Sequence, residues 1–205
     1  MRTIKLLTSI FIIFVFCLVL IRTFFYAPND EIPLDPQAIE NIQDSVINTD
    51  STKTSTTPEY PAYISIPKLE IDTEIQKVGI SKKGNMAAPN NFTDVGWYKY
   101  GVIPGNSGSA IIAGHVNNGI ALPAVFSRLE ELQEGDDIYI KREDGQLLHF
   151  SVTKTDVFNF DSRLSEVFTG NDQKLIKLIT CTGTWIQDYK THDKRLVVTA
   201  VLVEK

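Results

Sequence analysis

The sequence predicts a mainly β fold, a closed eight-stranded β-barrel with one or two short helices. Three observations carry this. From Tyr60 onward, apolar and polar residues alternate in short runs, the period of half-buried strands. Turn-forming residues interrupt those runs at short intervals. Only one stretch of this region, "LPAVFSRLEELQEGD", places apolar residues (Val125, Leu129, Leu132) at helical spacing before a terminating Gly135. Many short strands with little helix to cover them remove their edges most simply by closing on themselves.

Before the barrel come two segments of other character. Residues 1–27 place Arg2 and Lys5 ahead of an uncharged run from Leu6 to Ile21, followed by Arg22 and the aromatics Phe24, Phe25 and Tyr26. The run is 16 residues long, a little short of the ~20 that span hydrocarbon. A snorkelling Arg22 and an interfacial aromatic cluster make up the difference. A cleaved signal peptide competes with this reading, but no small-x-small site ends the run. The expectation is an uncleaved anchor with its N-terminus in the cytoplasm and the following domain outside the cell. Residues 28–60 hold seven acidic side chains and one basic one, with much Ser, Thr, Asn and Pro. Such a stretch buries too little apolar area to offset its ordering entropy and reads as a flexible tether. Ile39, Ile42 and Val46 share a face in a short helix read near "PQAIENIQDSVI".

Residues 61–205 form the folded domain. "AYISIP" and "LEIDTEIQ" alternate as strands, and "SKKGN" turns the chain. "DVGWYKYG" is a short aromatic strand, and "SAIIAGHV" is a compact apolar one that ends near His115. "DIYIKREDGQLLHFSVTKTDVF" reads as a hairpin around the primed-turn dipeptide Asp144-Gly145. "KLIKLITC" and "RLVVTAVLV" are two further strands, joined by a polar loop over 182–194. This domain carries 18 acidic and 16 basic side chains, so most of the chain's net charge of −5 resides in the tether. No dense cationic face appears, so no nucleic-acid partner is expected.

The cysteines narrow the chemistry. Cys17 lies in the apolar N-terminal run and reads as a small filler. Cys181 is then the sole thiol outside the membrane, with no second cysteine to pair with in an oxidising compartment. It is either buried or used. A thiol nucleophile needs ionisation, a proton donor for the leaving group and something to hold an oxyanion. About 3% of an ordinary thiol is ionised at pH 7. His115, in "IIAGHVNNG", and Arg195, in "DKRLVV", are the candidates for the other two roles. Adjacent antiparallel strands place Arg195 beside Cys181; His115 arrives from a more distant strand. The alternatives are a structural histidine and an arginine paired with Asp193. His192 rivals His115 by its nearness in sequence to Cys181, whereas His149 reads as structural. The acids Glu130, Glu131, Glu134, Asp136 and Asp137 lack regular ligand spacing and read as a solvated face rather than a metal site.

"LITC", with Thr180 directly before Cys181 and Arg195 fourteen residues later, resembles the active-site strand of the sortases. These are membrane-anchored cysteine transpeptidases of mainly Gram-positive bacteria. "AGHV", the loop "PGNSGSA" before it and "FSRLEEL" after it fit as well, and the resemblance spans roughly residues 61–205. The usual pattern is Thr-Leu-x-Thr-Cys; Lys177 stands in place of its first threonine, a departure expected to touch packing or substrate choice more than chemistry. The resemblance implies Cys181 as nucleophile at the Thr–Gly bond of an LPxTG-type signal, and His115 as acid and then base. It implies Arg195 as the residue that binds substrate backbone and oxyanion, and Thr180 as part of the oxyanion site. The loop 158–172 corresponds to one that lines the family's substrate groove, so Phe158, Phe160, Leu164, Val167 and Phe168 either receive an apolar signal or cap the barrel. Trp185 borders the groove. The implied partners are secreted proteins carrying LPxTG-like sorting signals and an amine acceptor such as a peptidoglycan precursor; no cofactor is called for. With neither a second hydrophobic segment after "VLVEK" nor a lid motif in the tether, attachment of proteins to the cell wall is expected rather than pilus building. A purely hydrolytic cysteine peptidase and a non-catalytic surface β-module remain as alternatives.

Overall fold

The structure is a computed structural model that describes residues 59–162, 165–168 and 172–204. The anchor, the short helix read near residue 40 and almost all of the tether lie outside the described residues. Among those described, no helix is long and apolar enough to cross a membrane.

Eight strands close into a barrel: β1 (Pro61–Ile66), β2 (Ile71–Val78), β3 (Val95–Tyr98), β4 (Gly108–Ala113), β5 (Asp137–Arg142), β6 (Leu147–Asn159), β7 (Lys174–Ile186) and β8 (Thr191–Leu202). Their order around the barrel is β1-β2-β3-β4-β7-β8-β6-β5, with β5 pairing back onto β1. Two neighbouring pairs, β2·β3 and β4·β7, run parallel. Parallel neighbours need a long crossover; between β4 and β7 that crossover contains β5 and β6.

Alternation along the strands builds two cores. Ala110 and Ile112 of β4, Ile176 and Leu178 of β7, and Leu196, Val198 and Ala200 of β8 fill the barrel with Ile64, Ile66, Trp97, Ile138, Ile140 and Phe150. The intervening residues Ile111, Ala113, Ile179 and Val197 face outward into a second, smaller cluster with Val78, Met86, Tyr98 and Val167. Strands β4, β7 and β8 are therefore buried on both faces, which explains their continuous apolar runs.

Three local expectations change. The stretch after Pro123 is not an α-helix. Ser127, Leu129, Glu131 and Leu132 donate to Ala124, Phe126, Arg128 and Leu129, each three residues back, and only Leu129–Glu131 forms a 3-10 turn. The buried set is Phe126, Leu129 and Leu132, the three-residue repeat that successive i→i+3 turns present to one side. The hairpin β5–β6 turns through three residues rather than two. Gly145 donates to Arg142 at 3.0 Å and Arg142 to Gln146 at 2.9 Å, and of Asp144 and Gly145 only the glycine has positive φ, +87°. That is a type I turn closed by a glycine bulge, not a primed turn. The polar stretch 182–194 is mostly strand: β7 and β8 continue as a hairpin ribbon to Ile186 and Thr191. Cys181 thus lies inside β7 and Arg195 inside β8, rather than at their ends. The loop before β7 contains one helical turn, α1 (Ser165–Phe168).

Candidate active site

Strand register brings the candidate groups into one row. Across β7 and β8, Cys181 and Arg195 are direct partners, so their side chains leave the sheet on the same side. Across β4 and β7, Ala113 pairs with Ile179, an offset of 66 residues that holds along the whole ladder. His115 and Cys181 are separated by the same 66 positions, so the residue two beyond β4 continues the ladder abreast of the cysteine. Cys181, His115 and Arg195 line one narrow cleft with Ala88, Pro89, Ala113, Gly114, Ile179 and Thr180. They are 5%, 1% and 3% exposed.

Each group is fixed by its neighbours. His115 Nε2 lies 3.1 Å from the Pro89 carbonyl oxygen. A carbonyl only accepts, so this bond places a proton on Nε2. Phe92 packs on the imidazole with ring centroids 5.2 Å apart, and the His115 carbonyl accepts from Phe126 N–H at 2.9 Å. Phe92 belongs to a turn organised by Asp94, whose carboxylate accepts from Gln76 and Asn91. Burial pushes this carboxyl up, but those bonds, with Thr73 and Thr93, outweigh it and hold Asp94 below its ordinary range.

Gly114 is clamped to β7 twice. Its N–H donates to the Ile179 carbonyl at 3.0 Å, and its carbonyl accepts from the Thr180 hydroxyl at 2.8 Å. Thr180 therefore points to the barrel side, beside its partner Leu196, while Cys181 points outward. Its hydroxyl acts on the backbone that carries His115. No larger residue fits at 114, because a Cβ there would sit 2.5 Å from the Phe126 ring.

Arg195 is held without a carboxylate. Nη1 donates to the carbonyls of His192 and Lys194 at 3.0 and 2.9 Å, and Nη2 to the Thr191 hydroxyl at 2.8 Å. Asp193 instead accepts from Thr184 N–H, and among the described residues no ion pair joins it to Arg195. The guanidinium is buried, and its Nε–H has no acceptor among the described residues. A buried donor in that state has a hydrogen bond to give.

Arg195 also lines a second, larger cleft of about 1000 Å³, with Lys83, Asn85, Asn118, Phe160, Trp185 and Tyr189 among its walls. This larger space does not include the thiol; the two clefts meet at Arg195. His192 belongs to the larger cleft and packs edge-on against Trp185, so the imidazole in the thiol's own cleft is His115. Trp185 is 45% exposed, and Phe160 stacks obliquely on Tyr189. Val167 is buried in the second core cluster, with Phe158 and Phe168 packed against it. Phe168 also meets Tyr98 edge-on; burial, reinforced by Tyr100, pushes the Tyr98 hydroxyl above its ordinary range. These three cap the outer face of the sheet, whereas Phe160 and Trp185 line open space. Leu164 lies outside the described residues. His149 bonds Asp137 on the far hairpin and stacks on Tyr139, away from the clefts. No cluster of potential metal ligands exists among the described residues.

A bulge shapes the larger cleft, and the sequence reading missed it. The β7·β8 register slips between Thr182 and Trp185. Gly183 has φ +83°, and a Cβ there would lie 2.1 Å from Asp193 Oδ1. Bulges twist and re-aim the strand that carries them, and here the ribbon bearing Trp185 and Tyr189 begins just past Cys181. The Thr182-Gly183 pair directly after the cysteine was the available signal.

Residues 64–203 match the family pattern described as Sortase domain. The chain belongs to the sortase family. Solved structures agree on the fold. Sortase C-1 from Actinomyces oris is 22% identical over 89% of this chain and 88% of that one, with a TM-score of 0.57. A lid mutant of sortase A from Corynebacterium diphtheriae is 23% identical over 82% and 91%, with a TM-score of 0.55. A sortase D5 transpeptidase from Clostridium perfringens is 22% identical over 80% and 88%, with a TM-score of 0.51. No curated protein matches the sequence. Membership makes the chain a sortase transpeptidase in general terms, with the closed mainly-β barrel of that family.

Proposed function

We propose that this sortase cleaves an LPxTG-type sorting signal between Thr and Gly and transfers the acyl product to an amine of the cell wall. The observation that carries the reading is the single cleft that holds His115, just past β4, with Cys181 of β7 and Arg195 of β8. In this reading the Cys181 thiolate attacks the threonine carbonyl carbon. The oxyanion that forms takes the hydrogen bond that Arg195 Nε–H has to give. The C–N bond breaks as His115 Nδ1–H protonates the departing glycine amine, leaving a thioester on Cys181. An incoming amine then loses its proton to His115, attacks the thioester carbon and returns the sulfur as thiolate. The His115–Pro89 bond, which occupies Nε2, supports Nδ1 as the nitrogen that does this work. The larger cleft, opening at the far side of Arg195, offers room for substrate or acceptor beside Phe160 and Trp185.

The N-terminal segment fits the same reading. A single-pass anchor over residues 1–27 and a tether to residue 60 would hold the domain outside the membrane, where secreted substrates are still attached, and raise their local concentration.

The test is incubation with LPxTG-like peptides followed by mass spectrometry. The expected result is a thioester on Cys181 and, with an added amine, a transpeptidation product. Cys181→Ala, His115→Ala and Arg195→Ala should each abolish or cripple cleavage; full activity in any one removes that residue from the mechanism. Release of free acid alone, unaffected by amines, would favour a hydrolytic peptidase. A folded protein whose Cys181 resists alkylation and forms no adduct would favour a non-catalytic module.

A further inference from the structure

Lys177 is a buried ammonium on the outer face of the sheet, where its neighbours are apolar or uncharged. It is 9% exposed, and its register partners are Ile111 of β4 and Thr199 of β8. Its face is the outward one that also carries Ile179 and Cys181. Burying an ammonium is unfavourable unless a partner compensates it. Nζ finds one in the Val167 carbonyl oxygen, at 2.9 Å. Val167 lies in α1, a helix of one turn. The carbonyls of a last helical turn have no partner within the helix and sit at its negative end, where a cation is favoured.

We infer that Lys177 is a positioning residue that latches α1 onto the outer face of the β4–β7 sheet and so backs the residues that floor the reaction cleft. Val167 is the apolar half of the same attachment. It packs in the cluster that contains Ala113 and Ile179, and those two residues also line the cleft of Cys181. The latch and the chemistry thus share a floor. Lys177 itself takes no part in the reaction. It lies four residues from Cys181 along an extended strand, about 13 Å away. A threonine at this position, the residue in the sortase pattern, is too short to reach a carbonyl above the sheet. The longer, charged side chain ties down a segment that a threonine would leave to apolar packing alone.

The role in substrate affinity rests on the proposed reaction; the latch itself does not, and the two are read separately. Hydrogen exchange is measured on the full chain and on Lys177→Met, which keeps the length and apolar stem but loses the donor, and on Lys177→Arg, which keeps a cationic donor. In Lys177→Met, amides of peptides containing α1 should exchange about tenfold faster, with the barrel strands unchanged. Lys177→Arg should retain protection. With a cleavable peptide, Lys177→Met should raise KM about tenfold and leave kcat within about twofold. Unchanged exchange in α1, an equal rise throughout the barrel, or equal loss in the Met and Arg variants would overturn the latch. A fall in kcat at constant KM would overturn the positioning role. Failure of the wild-type protein to form any adduct would end the proposed reaction, and the exchange result would still decide the latch.

Discussion

Thr180→Val tests how the histidine reaches the cysteine. The substitution keeps shape and β-branching, so the barrel-side packing beside Leu196 is preserved. It removes only the hydroxyl that donates to the Gly114 carbonyl at 2.8 Å in a buried setting. Leaving a buried carbonyl without that donor costs about 1–3 kcal/mol. For a domain of this size, 1 kcal/mol lowers Tm by roughly 2–4 °C, so a fall of about 2–12 °C is expected. The larger effect should be on rate. His115 follows Gly114 directly and lies beyond the end of β4, so the clamp is what carries the ladder alignment to the imidazole. A displacement of about 1 Å between reacting groups costs on the order of 100-fold. The expectation is a fall in kcat of about 10–100-fold, with KM little changed and Cys181 still alkylated at high pH as in the wild type. Thr180→Ser, which restores the donor, should recover most of both losses. The assays are thermal unfolding, peptide-cleavage kinetics and alkylation rates. A Thr180→Val protein with wild-type Tm and kcat, or a serine variant as impaired as the valine, would refute the clamp.

Three other outcomes follow from the same coordinates. Gly114→Ala should destabilise the domain by about 1–3 kcal/mol, because its Cβ meets the fully buried Phe126 ring at 2.5 Å; Phe126→Leu in the same chain should recover part of the loss in a denaturation series, and strict additivity would count against the contact. Gly183→Ala should lower Tm by several degrees and weaken peptide binding, since it strains a φ of +83° and drives a methyl into Asp193; an unchanged melt would remove the bulge from the account. Asp94 has a depressed carboxyl pKa in the fold, so its stabilising contribution is full above the unfolded value near 4 and is lost as pH falls through the lower folded value. The stability gap between wild type and Asp94→Ala, measured by urea unfolding, should therefore be constant near neutrality and narrow below about pH 4; a gap that widens in acid would reverse the sign of the argument.

What the sequence by itself determined is local. Alternation marked the strands, because a side-chain period of two is set within each strand. It marked Arg195 as the neighbour of Cys181, because strands joined by one ribbon pair with each other; even misplacing the ribbon as a loop left that pairing intact. It also exposed Lys177 as a departure, without saying what it holds. The 3-10 turns after Pro123 were hidden because a three-residue repeat and a helical one share several positions. The bulge at Gly183 left only the Thr182-Gly183 pair as a signal, because the carboxylate that organises it, Asp193, comes from the opposite strand. Only the tertiary structure decided that His115, not His192, shares the thiol's cleft. β4 and β7 are parallel and separated by a crossover of some sixty residues that includes two other strands, and no local pattern encodes the register across such a span. The clamp of Thr180 on Gly114 and the reach of Lys177 to Val167 depend on that register in turn. Each joins groups whose nearness exists only once the barrel has closed.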